Sequence, residues 1–169
     1  MKKIKGKVWK FDDDISTDLI ISGKYKFKTL DMGELSKHAM EGADPDFAEN
    51  VGKGDIIVAG ENFGCGSSRE QAPLVLKELG VGAIISKFFA RIFYRNAINV
   101  GIPVIENEEI PDKTSAGDQL EVDLTAGTVE NLTTGEKFEV KPLPEFLLKI
   151  IEKGGLVEQY KKQGKLPWE

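Results

Sequence analysis

The middle third of the chain alternates between short apolar runs and amphipathic stretches, and this alternation constrains the fold more than any other feature. Residues 55–60, 82–85 and 102–105 are apolar runs of strand length, whereas residues 69–79 and 88–99 carry apolar side chains at helical spacing. Strands that are joined by helices pair in parallel through right-handed crossovers. The segment therefore predicts an α/β fold with a parallel sheet flanked by helices.

The segments on either side predict further elements of this fold. Residues 4–11 predict another strand, residues 15–33 a loop or short extended pieces, and residues 33–41 a short helix. Three short alternating runs separated by turn residues then predict an antiparallel β element: residues 119–124, 128–132 and 137–140. Two helices follow, the second at residues 156–163. We expect one domain over residues 1–169, with a core at about 5–110 and the β-rich segment and C-terminal helices at 118–163.

Charge and cysteine content exclude several classes of function. The net charge is −5, the pI is about 5.1, and Lys and Arg are scattered among acidic residues, which excludes nucleic acid as the main partner. Neither a signal peptide nor a membrane-spanning run is expected, because no apolar stretch approaches the roughly 18 residues of a membrane helix. Cys65 is the single cysteine, so an intrachain disulfide is impossible and a reducing cytoplasm is favoured. A lone thiol also cannot hold an iron–sulfur cluster.

The loop after the first parallel strand carries the most chemical information. Residues 64–70 read Gly-Cys-Gly-Ser-Ser-Arg-Glu, where a strand predicted to be buried meets the start of a helix. Ligands of open α/β sheets bind at this edge, and Arg69 beside the hydroxyls of Ser67 and Ser68 suits a small di- or tricarboxylate. Ser67 followed three residues later by Glu70 also fits a capping box, which needs no ligand. The spacing alone leaves both interpretations open.

Three other features each have an ordinary structural explanation. Asp18 follows two hydroxyl residues and fits the side-chain cap of a turn. Arg91 and Arg95 lie four apart on one predicted helix face and fit a surface salt-bridge stripe. His38 is the single histidine and fits an ordinary helix-surface residue.

Two stretches together resemble a known family. Residues 64–70, followed by the sequence Phe-Ala-Arg-Ile-Phe-Tyr-Arg-Asn-Ala-Ile-Asn at 89–99, closely resemble the small subunits of 3-isopropylmalate dehydratase, which are homologous to the C-terminal swivelling domain of aconitase. Ser-Thr-Asp at 16–18 resembles the Asp-Thr-Asp of that family. The similarity runs from about residue 5 to residue 105.

The resemblance implies a swivelling β/β/α domain that works with a separate large subunit. It places a 4Fe–4S cluster on that large subunit, with no cofactor and no metal on this chain. It implies that Ser67 is the base, abstracting the proton α to a carboxylate, and that Ser68 and Arg69 bind substrate carboxylate. Asp18 and Arg91 take supporting roles by the same resemblance.

A short loop that sorts substrates in this family reads Tyr25-Lys26-Phe27-Lys28-Thr29 here. Homoaconitase-like members place an arginine two residues after the tyrosine, where this chain has Phe27, and a phenyl ring suits an alkyl substituent. Lys26 and Lys28 flank it and could reach an extra carboxylate. The resemblance thus implies a leucine-pathway isomerase subunit. The alternatives are a homoaconitase, a citramalate or dimethylmalate dehydratase, and a stand-alone carboxylate-binding module.

Overall fold

The computed structural model describes residues 3–26 and 28–169 of the chain. Of Lys26, only the backbone is described. The described part forms a seven-stranded mixed sheet in the order β4-β3-β2-β1-β5-β6-β7. The strands are β1 (Ile4–Lys10), β2 (Ile56–Ala59), β3 (Ala83–Ser86), β4 (Val104–Glu106), β5 (Gln119–Asp123), β6 (Thr128–Asn131) and β7 (Lys137–Glu139). The predicted mixed sheet, parallel in the core with an antiparallel element, is confirmed.

Strand β1 joins the two halves of the sheet. On one side it pairs in parallel with β2, and β3 and β4 continue that half. On its other side it pairs antiparallel with β5, and β6 and β7 follow as a meander. The pairing β1–β5 brings together residues that are far apart in the sequence, with Lys5 opposite Glu121.

The helices are mostly short. They are α1 (Thr17–Ile20), α2 (Gly23–Lys26), α3 (Met32–Ser36), α4 (Phe47–Asn50), α5 (Gln71–Glu78), α6 (Arg91–Asn99), α7 (Ile110–Lys113), α8 (Glu145–Glu152) and α9 (Leu156–Gln163). In the described ranges, none of them has the length and apolarity that a bilayer crossing requires.

Alternate side chains of the parallel strands fill two separate cores. Ile57 and Ile84 point to one face, where they pack with Leu76 of α5 and Phe93 of α6. Ile56, Val58 and Ile85 point to the other face, where the antiparallel strands contribute Leu120, Val122 and Val129. This sharing explains why β2 and β3 are buried at every position and apolar everywhere except at Ser86, because a strand covered on both faces has no solvent side.

Several predicted helix boundaries are wrong. The stretch 15–33 contains α1 and α2 as well as loop, and the helix expected at 33–41 ends at Ser36. Helix α5 begins at Gln71 instead of residue 69, and α6 begins at Arg91 instead of residue 88. The reason at α6 is that residues 88–90 bond to the neighbouring loop: the Ala90 amide donates to Phe63 O at 3.0 Å, and the Phe63 amide donates to Phe88 O at 3.3 Å.

Candidate active site

The loop of residues 60–70 leaves the carboxyl end of β2 and is bonded on both sides. On one side, the Thr17 amide donates to Cys65 O at 2.8 Å, and the Gly64 amide donates to Ile15 O at 2.7 Å. On the other side, the loop makes the contacts to residues 88–90 described above. Three segments far apart in sequence therefore meet at one edge of the parallel sheet, as expected for the ligand-binding edge of such a sheet.

Two features of the loop geometry require a glycine at position 64. Its φ of +83° lies in the left-handed region, which favours glycine. A Cβ at this position would also overlap the side chain of Phe93, which is buried under the loop. The loop is thus seated directly on α6 of the core.

Ser67 lies exposed at the tip of this loop and does not cap α5. Its hydroxyl is 3.4 Å from Oγ1 of Thr17, and its carbonyl accepts from the Arg69 amide at 2.9 Å. Helix α5 starts at Gln71 with Glu70 at its N-cap position, and the Glu70 side chain makes no capping hydrogen bond. The capping-box interpretation is therefore wrong, because a box led by Ser67 would need the helix to begin one residue later, at position 68. Ser68 is exposed beside Ser67.

Arg69 of this loop and Asp18 of α1 form an ion pair. Nη1 of Arg69 donates to Oδ1 of Asp18 at 2.9 Å and to Ile21 O at 3.1 Å. The hydrogen bond from Arg69, followed by one from the Gly23 amide, holds the pKa of the Asp18 carboxyl below its usual value of 3.8. Asp18 thus binds one end of the guanidinium, whereas Nε and Nη2, the pair of atoms with which an arginine can bind a carboxylate bidentately, make no hydrogen bond to the described residues.

The two predicted helix arginines line a cavity. Arg91 and Arg95 lie on one face of α6 beside a cavity of about 420 Å³ between α6 and α8, and Phe89, Tyr94, Ile98 and Leu147 complete much of its wall. Across residues 3–26 and 28–169, neither arginine forms an ion pair within 4.0 Å, since all of the pairs involve other residues. The salt-bridge stripe interpretation is therefore wrong for this face.

The predicted specificity loop lies only partly within the described residues. Phe27 and the side chain of Lys26 are outside them. Lys28 is exposed, with Nζ 5.8 Å from the centroid of the Tyr25 ring. Tyr25 stacks on His38 with ring centroids 3.7 Å apart.

Sequence reasoning missed Thr17 and His38, which contact Ser67 and Tyr25 respectively. Thr17 is 2% exposed and meets Ser67 across a separation that no local spacing reveals. His38 was interpreted as a surface residue, and no periodicity connects it to Tyr25. Cys65 is half-buried in the loop, and within the described ranges no three His, Cys, Asp or Glu side chains are grouped closely enough to hold a metal ion.

Comparison with known proteins gives a consistent result. The family model for the aconitase C-terminal domain matches residues 24–110. The chain is 54% identical to small subunit 1 of 3-isopropylmalate dehydratase from Methanopyrus kandleri, over 98% of this chain and 97% of that protein. It is 55% identical to the methanogen homoaconitase small subunit of Methanothermobacter thermautotrophicus, over 94% and 91%. The crystal structure of 3-isopropylmalate dehydratase from Methanocaldococcus jannaschii superposes with a TM-score of 0.89 at 45% identity, covering 96% of each chain.

Proposed function

Because the chain belongs to the aconitase C-terminal domain family, within its group of 3-isopropylmalate dehydratase and homoaconitase small subunits, we propose that it is the small subunit of a hydro-lyase that isomerises 2-isopropylmalate to 3-isopropylmalate. The reaction removes water from the substrate and adds it back across the same carbon–carbon bond, as a step of leucine biosynthesis. The observation that supports this most directly is the exposed Ser67 hydroxyl on a loop fixed by α6 and residues 15–17.

Ser67 is the base in this proposal, and it takes the proton α to a substrate carboxylate. A free hydroxyl hardly ionises at neutral pH, so its alkoxide must be stabilised by donors already in position. Oγ1 of the buried Thr17 lies 3.4 Å from Oγ of Ser67 and can donate a hydrogen bond to it. Thr17 therefore orients the base and supports its charged form.

Arg69, with Ser68 beside it, binds a carboxylate of the substrate. The Arg69 side chain is 21% exposed, and Asp18 together with Ile21 O fixes one of its terminal nitrogens. A guanidinium that is held at one end presents its other edge with little loss of rotamer freedom. Asp18 is thus a positioning residue for Arg69. Arg91, the first residue of α6, has a supporting role at the same edge of the sheet.

A partner subunit supplies what this chain lacks. Cys65 is the single cysteine, which does not fit the three or four thiolates of an iron–sulfur cluster. We therefore place the 4Fe–4S cluster on the large subunit, where it supplies a Lewis acid for the substrate hydroxyl. The relatives are named as small subunits, which agrees with a heteromer. We place the complex in the cytoplasm, where a lone thiol stays reduced.

The principal test is Ser67→Ala in the complex with the large subunit, with its cluster reconstituted under anaerobic conditions. We expect kcat and kcat/KM to fall together by at least about 10²–10⁴-fold, because a base acts in the transition state. Ser115→Ala, at an exposed serine in another part of the chain, is the matched control and keeps wild-type activity. Activity near wild type in Ser67→Ala would refute the role of Ser67, and a wild-type chain that forms no complex with the large subunit would favour a stand-alone carboxylate-binding module.

A second candidate substrate is homocitrate, favoured by the 55% identity to a homoaconitase subunit. We propose that Phe27 forms an apolar wall for the alkyl group and that Phe27→Arg shifts kcat/KM towards homocitrate. A buried guanidinium at position 27 would weaken binding of the alkyl substrate. Its two parallel N–H donors would bind the extra carboxylate of homocitrate. Assays of both substrates, and of citramalate and dimethylmalate, should also include Lys26→Ala and Lys28→Ala. If only the lysine variants change the ratio, Phe27 does not select the substrate.

A further inference from the structure

The start of α6 and the residues just before it expose apolar side chains beside the loop that carries Ser67. Phe88 is 45% exposed and Ile92 is 51% exposed. Their exposure does not reflect a loose segment, because the Phe88 carbonyl accepts from the Phe63 amide and lies 2.8 Å from the buried Ser86 hydroxyl. We call the surface formed by Phe88, Arg91, Ile92 and Arg95 the α6 edge. Rigid apolar side chains at a surface are typical of a protein–protein contact.

The α6 edge is also cationic, although the chain as a whole carries a net charge of −5. Arg91 and Arg95 are both exposed, and no acidic residue lies within α6 to offset them. Arg91 stands in the first turn, where a cation adds to the positive end of the helix dipole, so helix stability does not explain its presence. Both guanidiniums are available to acidic groups of a partner.

A cavity of about 420 Å³ continues this surface along α6. The two arginines form its cationic side, and Phe89, Tyr94, Ile98 and Leu147 form its apolar side. Glu106 also lines it, but Oε1 of that carboxylate accepts from the Phe89 amide at 3.1 Å. The cavity therefore suits a segment that combines an acidic side chain with apolar neighbours.

The α6 edge is continuous with the loop that carries Ser67. Residues 63 and 88–90 are bonded to each other, and Phe93 of α6 packs under Gly64. A subunit that brings substrate to Ser67 must lie against this loop, and the α6 edge is the adjoining surface.

We propose that the α6 edge is the docking surface for the large subunit, which covers Phe88 and Ile92 with apolar side chains and pairs acidic residues with Arg91 and Arg95. This inference rests on the proposed function, since the large subunit is the partner that the function requires. An acidic, apolar segment of that subunit occupies the cavity between α6 and α8.

The test measures assembly rather than activity. The purified large subunit, with its cluster reconstituted, is titrated into labelled wild-type chain and into the single variants Ile92→Asp and Arg95→Glu, and Kd is measured at low and at physiological salt. Leu132→Asp and Lys141→Glu are matched controls, because they make the same kinds of change at exposed positions outside the parallel half of the sheet. Urea unfolding shows whether each variant keeps the wild-type fold.

We expect each α6 variant to raise Kd by roughly 30-fold, as central interface residues do, and each control to change it by no more than about twofold. Loss of affinity in Arg95→Glu should be greatest at low salt, because salt screens charge pairs. If the wild type forms the complex and the α6 variants bind like the controls, the docking surface lies elsewhere. If the wild-type chain forms no complex, the proposed function fails and this inference fails with it.

Discussion

Replacing Gly64 with alanine tests how the loop of residues 60–70, here called the serine loop, packs on the core. The substitution has two separate costs. A left-handed φ of +83° costs an L-residue about 1–2 kcal/mol. The new methyl group also overlaps the Phe93 side chain, and forcing extra volume into a packed core costs about 1–3 kcal/mol. The variant should therefore lose about 2–5 kcal/mol of unfolding free energy.

The matched control is Gly117→Ala. Gly117 has a similar φ of +89°, but a Cβ there meets nothing within 4 Å, so only the backbone cost of about 1–2 kcal/mol applies. At about 2–4 °C per kcal/mol for a domain of this size, we expect Tm to fall by about 4–20 °C in Gly64→Ala. Gly117→Ala should lose about 2–8 °C.

A double variant isolates the contact with Phe93. Gly64→Ala should cost less in a Phe93→Ala background than in the wild type, because removing Cγ and the ring relieves most of the overlap, and the coupling should be about 0.5–3 kcal/mol. Urea unfolding followed by circular dichroism measures all four free energies. Equal losses in Gly64→Ala and Gly117→Ala, with no coupling to Phe93, would refute the proposed seating of the loop on α6.

Two further predictions concern the ion pair beside Ser67. Arg69→Lys should raise KM by roughly 10–150-fold, the equivalent of about 1.5–3 kcal/mol. Lysine keeps the positive charge but loses the planar pair of N–H donors that binds a carboxylate. An unchanged KM would mean that Arg69 does not bind substrate. Because Arg69 lowers the pKa of the Asp18 carboxyl in the folded chain, the ion pair stabilises the fold fully above the usual pKa of 3.8. This stabilisation is lost as the pH falls through the lower pKa of the folded chain. Asp18→Asn should therefore be less stable than the wild type at pH 7, by no more than about 1 kcal/mol for so exposed a carboxylate, and the difference should vanish under strongly acidic conditions in urea titrations. A difference that is independent of pH would show that the pair does not act through its charge.

The parallel sheet and the position of the serine loop could be predicted because both depend on local patterns. Apolar runs between helical stretches define β2, β3 and β4, and the chain order of these elements places residues 64–70 at the carboxyl end of β2. The parts that could not be predicted depend on contacts between distant segments. Residues 88–90 have a helical pattern but bond to Phe63 instead, which delays α6 until Arg91.

The capping box failed as a prediction for a related reason. The sequence around Ser67 and Glu70 satisfies the local rule, yet the Gly64 amide donates to Ile15 O and the Cys65 carbonyl accepts from the Thr17 amide. These bonds hold the loop in place, and the helix begins at Gln71, two residues beyond its expected start at residue 69. The same distant contacts bring Thr17 to Ser67 and Asp18 to Arg69. The sequence therefore indicates a role for residues 16–18 only through the family resemblance, because local spacing does not reveal these contacts.

The central position of β1 also has a consequence for the order in which the chain folds. During synthesis, β1 emerges first and can pair with β2, and β3 and β4 can then complete the parallel half as soon as residue 106 is available, because all of these strands are on one side of β1. Its other edge stays open until β5 is made, and an unpaired edge strand invites pairing with other chains. Pairing between strands that are far apart in the sequence is slow because a long loop must close first. The nascent chain is therefore most prone to aggregate between completion of the parallel half and arrival of β5, although its serine loop and β2–α5 unit are already formed.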